Sequence, residues 1–344
     1  MPTRIPAPTP IEKSTIVRSP SGPPGPPAPK TGSEPPPRVA PRPSDPGAEA
    51  PENGGADRSG VPRAPAPVRA AFGCLGRRAP GLAAGVAEAL FLTPARFRRP
   101  ERERRWLEAA APFTVRAGGR RIAAWSWGEP DRPAVLLAHG WAGRGSQLGA
   151  FAGALAAAGL RAVAFDAPGH GDSAGRRSSL LAMSDALLAV AESAESIAGV
   201  VAHSAGAAAA TWALRRGLPA PRLVYVAPPA ELSSYALTFG AAVGLPPAVA
   251  GRMQRRIEGR FGVRWHELHG LGVARSLRAK LLVVHDRDDA EVALADGAAL
   301  AAAWPGARLL ATAGLGHRRL LRDPEVVTAV IDFLSAEEAA AASA

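Results

Sequence analysis

From Ala134 onward the chain repeats one unit: a short apolar run, a turn of small and polar residues, then an alanine-rich stretch long enough for a helix. The runs are Ala134–Ala138, Arg161–Phe165, Ile197–His203, Leu223–Ala227, Leu281–His285 and Arg308–Thr312. They are mostly apolar rather than alternating, which is the pattern of strands buried on both faces. Successive parallel strands need a crossover, usually a helix. Stretches such as Gln147–Ala158, Leu180–Ala191, Ala205–Arg215 and Val326–Leu334 supply it. The expected fold class is therefore α/β, a mostly parallel twisted sheet covered by helices on both faces. A hairpin is expected ahead of it in PFTVRAGGRRIAAWSWG, turning at Ala117-Gly118-Gly119.

What precedes this region differs in kind. Residues 1–68 are rich in Pro, Gly, Ser and Ala, with too few apolar side chains to offset the entropy of ordering, and are expected to be a disordered tail. Residues 69–112 are expected to hold about two helices. GLAAGVAEALFL is apolar, Pro94 stops or bends it, and Arg96, Arg98, Arg99, Arg102, Arg104 and Arg105 follow. An apolar helix beside arginines is the pattern of a membrane-surface anchor. The alternative, preferred here, is a helix packed on the main body with a solvated basic face. Residues 337–344 read as an alanine-rich tail.

The net charge of +11 does not point to a nucleic-acid partner. Residues 1–112 carry 17 Arg and Lys against 10 Asp and Glu, and the rest carries 24 against 20, dispersed. No aromatic-and-basic cluster marks a base-stacking surface. Cys74, the only cysteine, excludes an intrachain disulfide or a multi-cysteine metal site. The first residues contain no apolar core of a secretory signal, and no apolar run reaches the ~18 residues of a spanning helix. A cytoplasmic location is the expectation, with no cofactor and no metal. His266 and His269 have a spacing that could suit a metal pair but no supporting ligand pattern.

Val200-Val201-Ala202-His203-Ser204-Ala205-Gly206 joins an apolar run directly to a helix with a serine at the bend. A strand-to-helix turn tight enough to expose a serine oxygen needs small residues two before and two after it. Ala202 and Gly206 meet that need, although glycine is usual at both. On these residues, and on Leu136-Leu137-Ala138-His139-Gly140-Trp141 and Phe165-Asp166-Ala167-Pro168-Gly169-His170-Gly171-Asp172-Ser173, the chain resembles the α/β-hydrolase superfamily over about Phe113–Ser335. The resemblance implies an α/β-hydrolase fold for residues 113–336, with a small helical cap at about 229–276.

It also implies roles. Ser204 is the expected nucleophile, and His317, in Gly314-Leu315-Gly316-His317 between the last strand and last helix, the expected general base. In Val284-His285-Asp286-Arg287-Asp288-Asp289, the family spacing selects Asp289 as the carboxylate orienting His317. Asp286 stands where glycine is usual and is either a loop cap or, with Asp288, a competitor for that role. The backbone N–H groups of Trp141 and Ala205 are the implied oxyanion hole. Asp166 and Asp172 are read as loop ties, and His139 as a brace without a proton-transfer role.

The implied chemistry is acyl transfer through an acyl-enzyme, on a small-molecule carboxylic ester or thioester of short-to-medium acyl chain. Leu237, Phe239, Val243, Met253, Phe261 and Trp265 of the cap are candidates for its acyl pocket, or simply the cap's own packing. The same triad would serve an acyltransferase or a C–C or C–N bond hydrolase, and a non-catalytic binding protein could retain the fold. The sequence leaves the oligomeric state open.

Overall fold

Each of the six apolar runs is a strand, and with the hairpin they make one eight-stranded sheet. The computed structural model describes residues 63–336. The expected tails therefore lie outside the described residues over 1–62 and 337–344. Strands β1 (Ala111–Ala117), β2 (Arg120–Trp127), β3 (Ala134–Ala138), β4 (Arg161–Phe165), β5 (Ile197–His203), β6 (Arg222–Val226), β7 (Lys280–Asp286) and β8 (Arg308–Thr312) run in the order β1-β2-β4-β3-β5-β6-β7-β8. All pairings from β4 through β8 are parallel; β1–β2 and β2–β4 are antiparallel. The β1–β2 turn is the two-residue Gly118-Gly119, both at positive φ (53° and 75°), as a hairpin matched to strand twist requires.

Side chains alternate across the sheet and build a core on each face. Ala134, Leu136, Val200, Ala202, Leu223, Tyr225, Leu281 and Val283 face one side. There they meet α5 (Leu180–Ala191), α6 (Ala205–Arg215) and α10 (Leu294–Ala303). Val135, Leu137, Val201, Val224, Val226, Leu282 and Val284 face the other, against α4 (Gly149–Ala157) and α12 (Pro324–Ser335). Both faces are dry: most of these strand side chains are fully buried.

Ahead of the sheet there are three helices, not two. They are α1 (Ala66–Arg78), α2 (Pro80–Phe91) and α3 (Glu101–Glu108). The first helix takes in the last three residues of the expected tail, 66–68, with Pro67 at its N-terminal turn, where the missing N–H costs nothing. Pro80 separates α1 from α2 in the same way.

Between β6 and β7, in the stretch where a helical cap is expected, lie α7 (Ser233–Ala242), α8 (Pro247–Phe261) and the short α9 (Gly270–Val273). These helices do not pack alone. Phe72, Ala83, Ala84 and Ala87 of α1 and α2 share a buried cluster with Ala236, Val249, Ala250, Met253 and Ile257 of α7 and α8. Of the acyl-pocket candidates, Val243 and Met253 are buried in that cluster, Phe239, Phe261 and Trp265 pack against it, and Leu237 is exposed.

Candidate active site

The strand order reverses about β3: β4 lies on one side of it and β5 on the other. In an open α/β sheet the loops leaving two such strands diverge and open a crevice at their C-terminal ends. The loop after β3 begins His139-Gly140-Trp141, and the turn after β5 carries Ser204, so topology alone brings these two segments together.

Ser204 is half-buried at φ 51°, a left-handed conformation that costs a non-glycine residue on the order of 1–3 kcal/mol. The surroundings enforce it. The Ser204 N–H donates to Val226 O (2.9 Å), extending the β5–β6 ladder, while the next residue already opens α6. A Cβ at Gly206 would lie 2.6 Å from His139 O and 2.7 Å from Ala138 O, so only glycine fits there. Ala202 is fully buried in the core, and its methyl group is accommodated. Gly140 passes so close that a Cβ on it would stand 3.0 Å from the Ser204 Cβ. Neither the Trp141 N–H nor the Ala205 N–H donates a hydrogen bond among the described residues. Ala205 also heads a helix, whose first N–H groups have no intrahelical acceptor.

The loops after β7 and β8 bring the other two residues together. Asp289 Oδ2 accepts from His317 Nδ1 at 2.7 Å, and its side chain is fully buried. Asp289 Oδ1 accepts from the N–H groups of Glu291 (2.8 Å) and Val292 (2.9 Å). Burial opposes ionisation of Asp289. Hydrogen bonds from His285, His317 and the Val292 backbone outweigh it and hold the carboxyl well below the usual carboxylate range. Asp286 does not compete for His317. It caps the two loops, accepting from Asp288 N–H, Gly316 N–H, Leu315 N–H and the Thr312 hydroxyl. Asp288 accepts from Gly314 N–H.

His317 reaches the serine elbow through its neighbour. The His203 and His317 rings are 4.6 Å apart, and His203 Nε2 donates to His317 O at 3.0 Å. No hydrogen bond joins Ser204 Oγ to His317 among the described residues; the His317 Nε2 lies 4.0 Å from Glu291 Oε2. Such bonds are often long in a ligand-free site and tighten when substrate binds.

Two neutral histidines brace the loops around the serine. His139 Nε2 accepts from Ala167 N–H (2.9 Å) while Nδ1 donates to Gly140 O (2.7 Å). His170 Nε2 accepts from Ala142 N–H (3.2 Å) while Nδ1 donates to Pro168 O (3.0 Å). Burial pushes them down to about 4 and about 3, and His203 to about 3. Asp166 ties the same loops, accepting from Gly145 N–H and Asp172 N–H. His269, one of the histidines with metal-pair spacing, lies 2.9 Å from Glu231 Oε1.

Local sequence reading missed the contribution of residues 91–103. Two of the arginines there, Arg96 and Arg99, are bound to neighbouring loops, while Arg98 and Arg102 keep the exposed basic face that was expected. Arg96 donates to Gly169 O, Ser173 O and Gly175 O, and Arg99 bridges Asp166 and Asp172. Glu103 takes Arg144 of the loop after β3 in a bidentate pair (2.6 and 2.8 Å), both side chains buried, and accepts from the Ser146 hydroxyl. Phe91, at the end of α2, meets Trp141, Phe239 and Trp265 with ring centroids 6.3, 5.3 and 6.2 Å apart. An aromatic wall therefore stands beside the loop that carries the Trp141 N–H.

A sheet of this order, with a strained serine elbow beside its switch point, defines an α/β-hydrolase. The model of the serine aminopeptidase S33 family matches residues 129–327, and the chain belongs to that family. Among solved structures it resembles an esterase of Pyrococcus furiosus (18% identity, TM-score 0.53, covering 71% of this chain and 98% of that one). It also resembles the thioesterase domain from the curacin biosynthetic pathway (21%, 0.50, 66% and 99%). A third likeness is to a membrane phospholipase A described as a bacterial virulence factor (14%, 0.53, 78% and 95%). At these identities the likeness is one of fold. No curated protein matches the chain in sequence.

Proposed function

We propose that the protein hydrolyses a carboxylic ester or thioester of short-to-medium acyl chain, with Ser204 as nucleophile, His317 as general base and Asp289 as the orienting carboxylate. The observation that carries this reading is the 2.7 Å bond from His317 Nδ1 to a buried, ionised Asp289, beside a serine in a strained elbow. That bond fixes the tautomer that leaves Nε2 free to accept a proton. His317 Nε2 takes the Ser204 Oγ proton as the oxygen adds to the substrate carbonyl. The unspent N–H groups of Trp141 and Ala205 receive the oxyanion, each contributing roughly 3 kcal/mol by analogy with measured donors. Collapse expels the alcohol or thiol, which takes the proton from His317. Water then repeats the sequence in reverse order and releases the acid. The aromatic wall of Phe91, Trp141, Phe239 and Trp265 suits an apolar acyl group. Esters and thioesters are also the bonds named for the esterase and thioesterase of similar fold.

A second reading, cleavage of a C–N bond in an amine-bearing substrate, is favoured by the acidic groups around Tyr235, of which Glu291 places Oε2 4.0 Å from His317 Nε2. Glu231, Glu291 and Asp296 lie close enough to Tyr235 to raise its phenol further, after burial, above the ordinary range. They could receive an ammonium group.

Labelling by a fluorophosphonate probe tests the mechanism without a known substrate. Wild type is expected to label, Ser204→Ala and His317→Ala to lose labelling, and Asp289→Asn to label about 10⁴-fold more slowly. A folded wild type that does not label would overturn the proposal. Acyl p-nitrophenyl esters against aminoacyl p-nitroanilides then separate the two readings.

A further inference from the structure

Helix α2 is turned inside out. Its sequence, PGLAAGVAEALF, contains one ionisable side chain, Glu88, and that residue points inward, 2% exposed, onto Arg256 (2.8 Å) and Arg260 (2.5 Å) of α8. Ala83, Ala84 and Ala87 complete the packed face. Leu82, Val86 and Leu90, four residues apart and so on one face, are 60%, 40% and 48% exposed. A helix on the surface of a soluble protein carries its polar residues outward and its large aliphatic ones inward. A stripe with the opposite arrangement marks an interaction surface.

The charge around the stripe says what covers it. Helices α1, α2 and α8 carry Arg69, Arg77, Arg78, Arg252, Arg255, Arg256 and Arg260 against Glu88 and Glu258. Glu88 is consumed by Arg256 and Arg260. No carboxylate among the described residues lies within ion-pair distance of Arg252 or Arg255. With Arg256 and Gly81 these two line a cleft of about 330 Å³ at the first turn of α2, immediately before Leu82. The occupant must therefore be apolar and anionic together. A second copy of the chain offers the same cationic face and would be repelled. Residues 1–62 carry seven basic residues against six acidic ones, so they hold no anionic excess to offer.

We propose that this face docks on an anionic lipid surface. Leu82, Val86 and Leu90 enter the boundary between headgroups and acyl chains, while Arg252 and Arg255 meet lipid phosphates. The next residue after Leu90 is Phe91, whose ring stands against Trp141, so the docked helix leads from the bilayer to the aromatic wall. The proposal concerns binding and does not depend on the ester-hydrolase reading.

Sedimentation of the full chain with phosphatidylglycerol–phosphatidylcholine vesicles, and with phosphatidylcholine alone, tests it. Binding is expected to the anionic vesicles only, and to fall as salt rises. Leu82→Ser/Leu90→Ser and Arg252→Glu/Arg255→Glu should each weaken it about tenfold or more. Both pairs are exposed, so unchanged circular dichroism and melting should accompany the loss. Wild type that ignores both vesicles overturns the proposal. So does equal binding to neutral lipid, or binding that both double variants retain. A Leu82→Ser/Leu90→Ser variant that instead converts a dimer to a monomer, with no lipid binding by wild type, assigns the face to self-association and also overturns it.

Discussion

Two buried glutamates, each held by arginine, set the sheet-based body apart from the helical roof, the layer in which α1 and α2 pack with α7 and α8. In the body, Glu103 and Arg144 are both shut away from water, with side chains 5% and 8% exposed. In the roof, Glu88 is just as buried, but its partners Arg256 and Arg260 are 46% and 47% exposed. The same chemistry therefore has different consequences. Removing Glu103 strands a guanidinium that has no solvent to turn to, whereas removing Glu88 frees two that are already half in water. The body holds its loops in one arrangement; the roof is joined by small residues and by a pair that water can replace.

Acid should break the body first. His139, His170 and His203 are neutral and buried, with folded values near 4, 3 and 3 against an unfolded 6.5. Between those limits the unfolded chain binds more protons, so stability falls as pH drops below about 6.5. By pH 5 each imidazole contributes on the order of 2 kcal/mol of destabilisation. Asp289, whose folded value is depressed, adds loss of the same sign at lower pH, as it becomes protonated in the unfolded state. Melting temperature measured from pH 8 to pH 4.5 should decline steeply below 6.5, and His203→Asn should flatten the curve. A flat wild-type profile would mean the histidines are not buried as described.

Glu103→Ala is the next largest effect, a loss of about 3–5 kcal/mol from an uncompensated buried charge. Denaturant unfolding should show it, and fluorophosphonate labelling should fall with it, because Arg144 belongs to the loop that bears Trp141. Glu88→Ala should cost about 1 kcal/mol or less, since its partners are well solvated. Its signature is local: hydrogen exchange rises in α1, α2 and α8 while the melting of the body barely moves. Equal losses from the two variants would erase the distinction between the regions.

The body was legible in the sequence because its signals are local. A run of five apolar residues ending in a sharp turn announces a strand whether or not its partners are known, and Ser204, Asp289 and His317 each sit at such an end. The bond between Asp289 and His317 follows from strand order once β7 and β8 are neighbours. What was not legible, in the body as in the roof, is what rests on distant pairs. The pairs Glu103–Arg144 and Glu88–Arg256 join residues 41 and 168 positions apart, with no periodicity to betray either. The arginines after Pro94 read as one basic cluster, yet Arg96 and Arg99 point into loops formed more than 60 residues later. Composition cannot separate those from Arg98, whose neighbours in sequence are the same. Likewise, an apolar α2 with a single glutamate reads as an ordinary packed helix until its glutamate is found facing inward.

The bidentate grip of Glu103 on Arg144 also bears on how this catalytic unit can be borrowed. Anyone excising the stretch that the family shares, to fuse it, shuffle it or graft a new roof on it, would leave behind the one carboxylate that neutralises the interior of its reactive loop. The portable module starts well upstream of the homology, and a chimera spliced at the homology boundary would inherit an enzyme's residues without the anchor that keeps them in place.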